Sequence, residues 1–308
     1  MITRPTVFIL GAGASVPYGF PSGSQLCINV IRRLESTNYG GWYDIIRDMG
    51  FDAGHISDFV FALRNSGLAS IDALLERRPE FMEIGKTTIA LGLLLYEEEY
   101  RLNNPDNNEK HWYKYFYNKI VENVQTLEGI LSNKISIITF NYDRSLDQYF
   151  FICLKSSYGK KDSECANILK NLPIIHVHGQ LGDLPWQNEN GRQYYPRETI
   201  EDVKKAVEKI IVLSEADKNS AEFERAFKSL LEAERIFFLG FGYLEQNLKR
   251  LKIDVVNKIG KASIYGTTLG IGKSDKKIIL QRWNFQPPYF YDVPVHDFLM
   301  NHARWDQR

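Results

Sequence analysis

One short segment, Val7-Phe-Ile-Leu-Gly-Ala-Gly-Ala-Ser-Val16, constrains the fold more than any other part of the chain. Val7 to Leu10 is an unbroken apolar run of strand length, which predicts a buried parallel strand. It leads straight into Gly11-Ala12-Gly13, which predicts a sharp turn into a helix. Glycine matters there because a phosphate can approach a backbone that carries no Cβ. A helix start would add unpaired N–H groups and a positive dipole end. Gly11 and Gly13 fit the first two glycines of the fingerprint G-x-G-x-x-G, but Val16 stands where the third glycine or alanine belongs, and Gly19 comes later. Two readings stay open, a dinucleotide loop and a plain tight turn between strand and helix.

Three later segments repeat the pattern: Ile135-Ser-Ile-Ile-Thr-Phe-Asn-Tyr-Asp143, Ile174-Ile-His-Val-His-Gly179 and Ile236-Phe-Phe-Leu-Gly-Phe-Gly242. Each is a β-branched or aromatic run that ends in small or polar residues able to do chemistry. Ligands of open α/β sheets sit beyond the carboxyl ends of the strands, so four such ends can converge on one crevice.

Composition narrows the function classes. With 308 residues, 44% of them hydrophobic, the chain can bury a substantial core as one large domain or one domain with an insertion. The 38 basic and 38 acidic side chains cancel, which removes any global electrostatic case for nucleic-acid binding. Local clusters such as Lys249-Arg250 with Lys252, or Lys273 with Lys276-Lys277, read as solvated helix faces. Cys27, Cys153 and Cys165 are far apart and form no C-x-x-C, which argues against a disulfide framework or a zinc ribbon. Thr3-Arg4-Pro5 leads into a strand rather than a signal peptide, and the apolar stretch Ile89 to Tyr96 is too short to span a bilayer. A soluble, cytoplasmic protein with no membrane partner is expected.

The first strand and glycine loop lead to a helix carrying Leu26, Val30, Ile31 and Leu34 at helical spacing. Residues 42–131 contain no convincing strand and predict an all-helical insertion between the first and second core strands. Phe81 to Leu102 and Trp112 to Leu131 read as its two longer helices, separated by the polar turn Asn103-Asn-Pro-Asp-Asn-Asn108. Trp186 to Arg197 is a candidate cover for the pocket. Helices are expected over Glu201–Leu213, Ala221–Ala233 and Gln246–Ile259, a further strand over Ala262–Tyr265, and breaks at Gly270-Ile-Gly272 and Pro287-Pro288. No internal repeat is visible.

The order and content of the four strand ends resemble the sirtuin superfamily, specifically the sirtuin-like NAD-hydrolase domain of prokaryotic antiphage defence proteins. There a G-A-G-x-S loop, a T-x-N-Y-D strand end, an H-G strand end and a late G-[FY]-G or G-[ST] strand end build the NAD pocket. Here they are Gly11-Ala12-Gly13-Ala14-Ser15, Thr139-Phe-Asn-Tyr-Asp143, His178-Gly179 and Gly240-Phe241-Gly242, and the match spans most of the chain. The resemblance implies a single Rossmann-like domain, a parallel sheet flanked by helices with the helical insertion at 42–131, and NAD as substrate with no metal.

In such a pocket the nicotinamide–ribose bond breaks through an oxocarbenium-like state. The protein must exclude water, hold the ribose and supply a nucleophile on the correct face. Asn141 is the first catalytic candidate, because its amide can donate and accept and so orient a water or a ribose hydroxyl; a structural cap on the following turn is its alternative. His178 is the candidate general base. Alternation would put His176 on the same side, and it is the histidine directly before glycine in the family pattern that selects His178. His176 then reads as a histidine satisfied in the core or behind the pocket residues or, with His178, as half of a metal pair lacking a third ligand. The resemblance assigns Asp143 to the nicotinamide carboxamide, with an N-cap as a compatible role. Gly11, Ala12, Gly13, Ser15, Gly240, Phe241 and Gly242 are cofactor-binding candidates, and Tyr243 is one by stacking or hydrogen bonding. Tyr18, Phe20 and Pro21 fall where sirtuins carry a cofactor loop. Phe20-Pro21-Ser22-Gly23 replaces the Pro-Asp-Phe-Arg of the deacylases, and the four-cysteine zinc module is missing; both departures weigh against deacylation.

The resemblance therefore implies an NAD glycohydrolase that releases nicotinamide and linear or cyclic ADP-ribose, an antiviral effector of abortive infection that depletes cellular NAD when triggered. It further implies control by a separate partner, such as a HerA-type ATPase or an Argonaute-like protein, or by homo-oligomer assembly, with no direct nucleic-acid contact. A deacylase or ADP-ribosyltransferase is the runner-up, and a non-catalytic module sensing NAD or ADP-ribose the third reading. A homo-oligomer would use apolar and aromatic residues of the insertion, among them Phe59, Phe61, Leu93, Leu94, Tyr96, Trp112, Tyr115 and Phe116.

Overall fold

The computed structural model describes residues 1–36, 41–104, 111–212, 215, 220–303 and 305. Its sheet is made of β1 (Thr6–Leu10), β2 (Ile135–Thr139), β3 (Ile174–His176), β4 (Arg235–Leu239), β5 (Ser263–Thr267) and β6 (Phe290–Tyr291). The strands lie in the order β3-β2-β1-β4-β5-β6, and every pairing is parallel. Leu10, the last residue of β1, sits opposite Thr139 of β2 and Leu239 of β4. The chain lays β2 and β3 on one side of β1 and then returns to place β4 on the other. That reversal opens a crevice at the carboxyl ends of β1 and β4, the place where open α/β sheets hold ligands.

Helices cover both faces. In chain order they are α1 (Gly23–Glu35), α2 (Trp42–Asp48), α3 (Ala53–Asn65), α4 (Ile71–Arg77), α5 (Met82–Leu94), α6 (Glu99–Asn103), α7 (Trp112–Val121), α8 (Ser145–Tyr158) and α9 (Asp162–Asn171). Then come α10 (Ile200–Val207), α11 (Ser220–Glu232), α12 (Glu245–Arg250), α13 (Ile253–Ile259), α14 (Lys273–Arg282) and α15 (Val295–Asn301). Strand alternation divides the core. Phe8 and Leu10 of β1, with Phe237 and Leu239 of β4, join the cluster built by α1 to α10 and α15. Val7, Ile9, Ile236 and Phe238 point the other way, into the cluster under α11 to α14.

Among the described residues only helices and 3₁₀ turns separate β1 from β2, which is the helical insertion expected from sequence. Its two long helices are shorter than expected. The first stops at Leu94 and resumes as α6; the second stops at Val121 and is followed by a 3₁₀ turn, Glu128–Ser132. The helix expected over Gln246–Ile259 is likewise two, broken at Lys252, whose φ is +52°. The expected turn at 103–108 falls mostly outside the described residues.

A buried ion triad occupies the break after α5. Glu97, fully buried, accepts from Arg144 Nε at 2.8 Å and Nη2 at 2.6 Å, and from Arg192 Nη2. Arg144 spends its remaining donors on the carbonyls of Gly182, Asp183, Arg192 and Gln193. Trp186 stacks on Phe151 at 5.4 Å, while Arg192 and Tyr194 are buried. The segment 186–197 is thus clamped onto the core and lines no part of the main cavity, contrary to the expectation of a cover. The insertion also buries most of its own aromatic load. Phe59, Leu93, Leu94, Trp112 and Phe116 are buried, and Phe61, at 70% exposure, is the one residue of that expected interface set left largely in solvent. Elsewhere in the insertion Tyr100, at 73%, and Leu131, at 41%, are exposed as well.

Candidate functional site

A cavity of about 1000 Å³ opens over the carboxyl ends of β1, β2, β4 and β5. That is the upper end of the roughly 300–1,000 Å³ found for small-molecule and cofactor pockets. Gly11, Ala12, Gly13, Asn141, His178, Gly240, Phe241 and Gly242, all candidates from sequence, line it together.

The glycines meet a close contact that the sequence alone does not reveal. A Cβ on Gly11 would lie 2.7 Å from the Gly240 carbonyl oxygen, and one on Gly13 would lie 2.9 Å from the same atom. Gly240 has φ +58°, and its own Cβ would meet the Ala14 nitrogen at 2.2 Å. The two loops therefore press backbone against backbone, and the neighbouring loop leaves no room for a Cβ at these positions. The turn after β1 is two 3₁₀ turns, Ala12–Ala14 and Val16–Tyr18, and α1 starts only at Gly23. The N–H groups of Gly11, Gly13, Ala14 and Ser15 all bond to carbonyls within the protein. The N–H of Ala12 has no partner among the described residues.

Asn141 follows the end of β2 and ties this loop to the cavity. Its amide nitrogen donates to the Gly11 carbonyl and to Ser15 Oγ, both at 3.0 Å. A carbonyl can only accept, so the Gly11 contact fixes which end of the amide is NH₂. Oδ1 remains as an acceptor with no protein donor among the described residues. Ser15 itself is buried and outside the cavity, so it serves the site by holding Asn141.

His178 is fixed in the same way. Its Nδ1 lies 3.2 Å from the Ile211 carbonyl oxygen, which requires the proton on Nδ1 and leaves the Nε2 lone pair for the cavity. The Ile211 N–H in turn donates to the His178 carbonyl at 2.9 Å. Gly179 permits this clamp: its φ is +69°, and a Cβ there would strike the Lys209 carbonyl oxygen at 1.8 Å. Phe140 and Phe223 pack edge-on against the imidazole at 5.4 and 5.8 Å. Burial, assisted by the positive charge of Arg250, lowers its pKa to about 4, so the ring is neutral at neutral pH.

His176 is elsewhere. β3 ends at His176, so strict alternation does not carry on to His178. His176 Nε2 pairs with Asp147 of α8 at 3.1 Å and lines no part of the cavity. Burial pulls its pKa down, but the Asp147 charge and hydrogen bond, with Asp143 nearby, lift it above the usual histidine range. The two rings diverge, and among the described residues no group of three His, Cys, Asp or Glu side chains is arranged to hold a metal ion.

Two further candidates lie outside the cavity. Asp143 is buried with its Oδ1 taken by the Ser145 N–H at 3.1 Å and the Ser145 hydroxyl. This is a local turn just before α8, whose N-cap is Arg144, and burial raises the Asp143 carboxyl above the usual range. Tyr243, in the left-handed region at φ +52°, donates its hydroxyl to the Thr267 carbonyl at 3.0 Å and fills the space beside Gly266. Neither side chain is presented to a ligand. Tyr18 and Phe20 are also buried, Tyr18 stacked on Tyr113 at 3.7 Å, while Pro17, Gly19 and Ser22 reach the cavity.

Sequence reasoning missed much of the remaining wall. Asp72 and Ser70 come from the start of α4, deep in the insertion. Thr267, Leu269, Gly270 and Ile271 follow β5, and Val293 to Val295 precede α15. The glycine break at Gly270 was the only sequence signal for any of these.

No family model matches the chain, and no curated protein matches it. Solved structures similar to it include sirtuins. A structure of Sir2Tm bound to a propionylated peptide is 15% identical, with 96% of this chain and 91% of that chain covered and a TM-score of 0.39. A Sir2 complex with an inhibitor, 2′-O-acetyl-ADP-ribose and a deacetylated peptide gives 16%, 96%, 91% and 0.39. A structure concerned with sirtuin substrate affinity gives 16%, 96%, 92% and 0.39. At that identity and TM-score these likenesses decide nothing about activity.

Proposed function

We propose that the chain is an NAD glycohydrolase. The observation that carries this reading is the pairing of Asn141 and His178 on one cavity wall, each anchored through its N–H donors and each left with one lone-pair atom for a ligand. A site built to polarise a water needs acceptors in fixed positions, and these two side chains provide them. The cavity runs from this pair past the β1 and β4 loops to the β5 end, a shape suited to an extended dinucleotide. In the reaction, the C–N bond between nicotinamide and ribose breaks, nicotinamide leaves neutral, and water adds to the ribose carbon. Asn141 Oδ1 orients the water or a ribose hydroxyl, and His178 Nε2 takes the proton. If a ribose hydroxyl attacks instead, the product is cyclic.

The resemblance of the motifs extends this reading to an antiviral effector that depletes NAD once a separate partner or self-assembly releases it. The activity test is to incubate the purified protein with NAD and follow nicotinamide, with and without an acylated peptide. Release without peptide supports the hydrolase. Release only with peptide moves the assignment to a deacylase, and tight NAD binding without release, even with co-purifying partners present, moves it to a sensor. Light scattering at micromolar concentration tests self-assembly, and a strictly monomeric mass counts against it.

A further inference from the structure

The cavity wall beside the proposed catalytic pair carries a carboxylate with no place in the reaction described so far. Asp72 enters from the first turn of α4 and receives the Tyr142 hydroxyl on Oδ1 at 2.5 Å. Tyr142 directly follows Asn141, and its ring lies 6.3 Å from that of His178. Asp72 and Tyr142 therefore stand at the Asn141 and His178 end of the cavity. Both line it. Asp72 is also the only Asp, Glu, Lys or Arg among the lining residues. Its Oδ2 has no side-chain partner among the described residues, and burial raises its carboxyl above the usual range. A desolvated carboxylate with one oxygen held by a hydroxyl and no side-chain partner on the other is suited to receive an N–H donor or a positive charge.

We propose that Asp72, positioned by Tyr142, recognises the leaving base of the substrate, a cationic ring bearing an amide. This rests on the NAD reading and sharpens it. The pyridinium of oxidised NAD carries both features that suit the site: a positive charge for the carboxylate and a carboxamide N–H for Oδ2. Asp143, the residue that the motif resemblance assigns to that amide, has its carboxylate turned to Ser145 and lines no part of the cavity. The insertion thus supplies a substrate contact to the strand-end chemistry, and Asp72 sets specificity for the oxidised cofactor.

The test uses equilibrium binding of carbocyclic NAD, which keeps the pyridinium amide but cannot be hydrolysed, and of ADP-ribose, which lacks the base. Asp72→Asn is expected to weaken carbocyclic NAD about tenfold or more, the size of one charge-assisted hydrogen bond. ADP-ribose affinity should stay within about twofold, well under the tenfold that corresponds to such a bond. Tyr142→Phe, which removes only the buttress, should shift the same ligand in the same direction by less, and covers the case in which Asp72→Asn fails to fold. Equal loss for both ligands, or no loss for either, overturns the inference while leaving the NAD reading in place. Wild-type protein that binds ADP-ribose but not carbocyclic NAD also overturns it. Wild-type protein that binds neither overturns the NAD reading, and this inference with it.

Discussion

Two anchored polar groups of this molecule make an instructive contrast. In the Glu97–Arg144–Arg192 triad the Arg144 guanidinium bonds to Glu97 and to four carbonyls. In the cavity, Asn141 and His178 use their donors on the protein and keep Oδ1 and Nε2 without a partner among the described residues. Both arrangements fix side chains rigidly. Only the second leaves bonding capacity unspent. A saturated network rigidifies architecture, whereas an anchored but unsaturated one is prepared for something that is not part of the chain.

That contrast predicts opposite kinds of damage. The largest effect is expected at His178. His178→Ala should lower NAD turnover about 10²–10⁴-fold, the range for losing a general base, with little loss of fold. His176→Ala should do the reverse, leaving turnover near normal while exposing the Asp147 pairing as a stability cost. Comparing kcat with thermal unfolding in both variants tests this, and a greater kinetic loss at His176 would overturn the assignment of the base.

The triad should fail in the other manner. Glu97→Ala strands two buried guanidiniums and should cost about 3–5 kcal/mol of stability. Turnover per folded molecule should hold, since the triad lines no part of the cavity. Urea unfolding read beside specific activity separates the two quantities, and a collapse of kcat at full stability would show the triad to be part of the site.

Asn141 sits between these extremes, because it anchors the glycine loop as well as facing the cavity. Asn141→Ala should lower turnover roughly hundredfold through loss of orientation. It should also cost about 1 kcal/mol of stability for the hydrogen bonds to Gly11 and Ser15. Near-normal turnover in a folded Asn141→Ala protein would remove this residue from the mechanism.

Much of this arrangement was legible in the chain because local rules were enough. The apolar runs ending at Leu10, Thr139 and Leu239 became adjacent strands, and their ends met at one crevice. What escaped depended on long-range geometry. No spacing rule links Asp72 to Tyr142, which are 70 residues apart. The shared side expected for His176 and His178 assumed a strand that in fact stops at His176. The glycines of the first loop were read as room for a phosphate, and no local pattern shows that they must also admit Gly240, which only the sheet order brings alongside. Tyr243 looked available because nothing local announces that its hydroxyl is spent on Thr267.

The smallest predicted effect is a pH dependence, and it separates the two histidines once more. His178 has a folded pKa of about 4, below its ordinary value of 6.5, because burial and Arg250 disfavour the charged ring. The unfolded chain therefore binds the proton first as pH falls. Stability from keeping this ring neutral is present above the unfolded value and is lost as pH drops toward the folded one. Between about pH 7 and about pH 5 the loss should be about 2 kcal/mol. His111, also lowered to about 4, adds a slope of the same sign, so His178→Gln should reduce the slope and not abolish it. His176 has the opposite sign: its pKa is raised, so its contribution is full at low pH and fades as pH rises through its folded value. Urea midpoints measured across this range for wild type, His178→Gln and His176→Gln check the assignment. An unchanged slope in His178→Gln would mean that the ring is not buried in its neutral form, and the free Nε2 lone pair on which the proposed base depends would go with it.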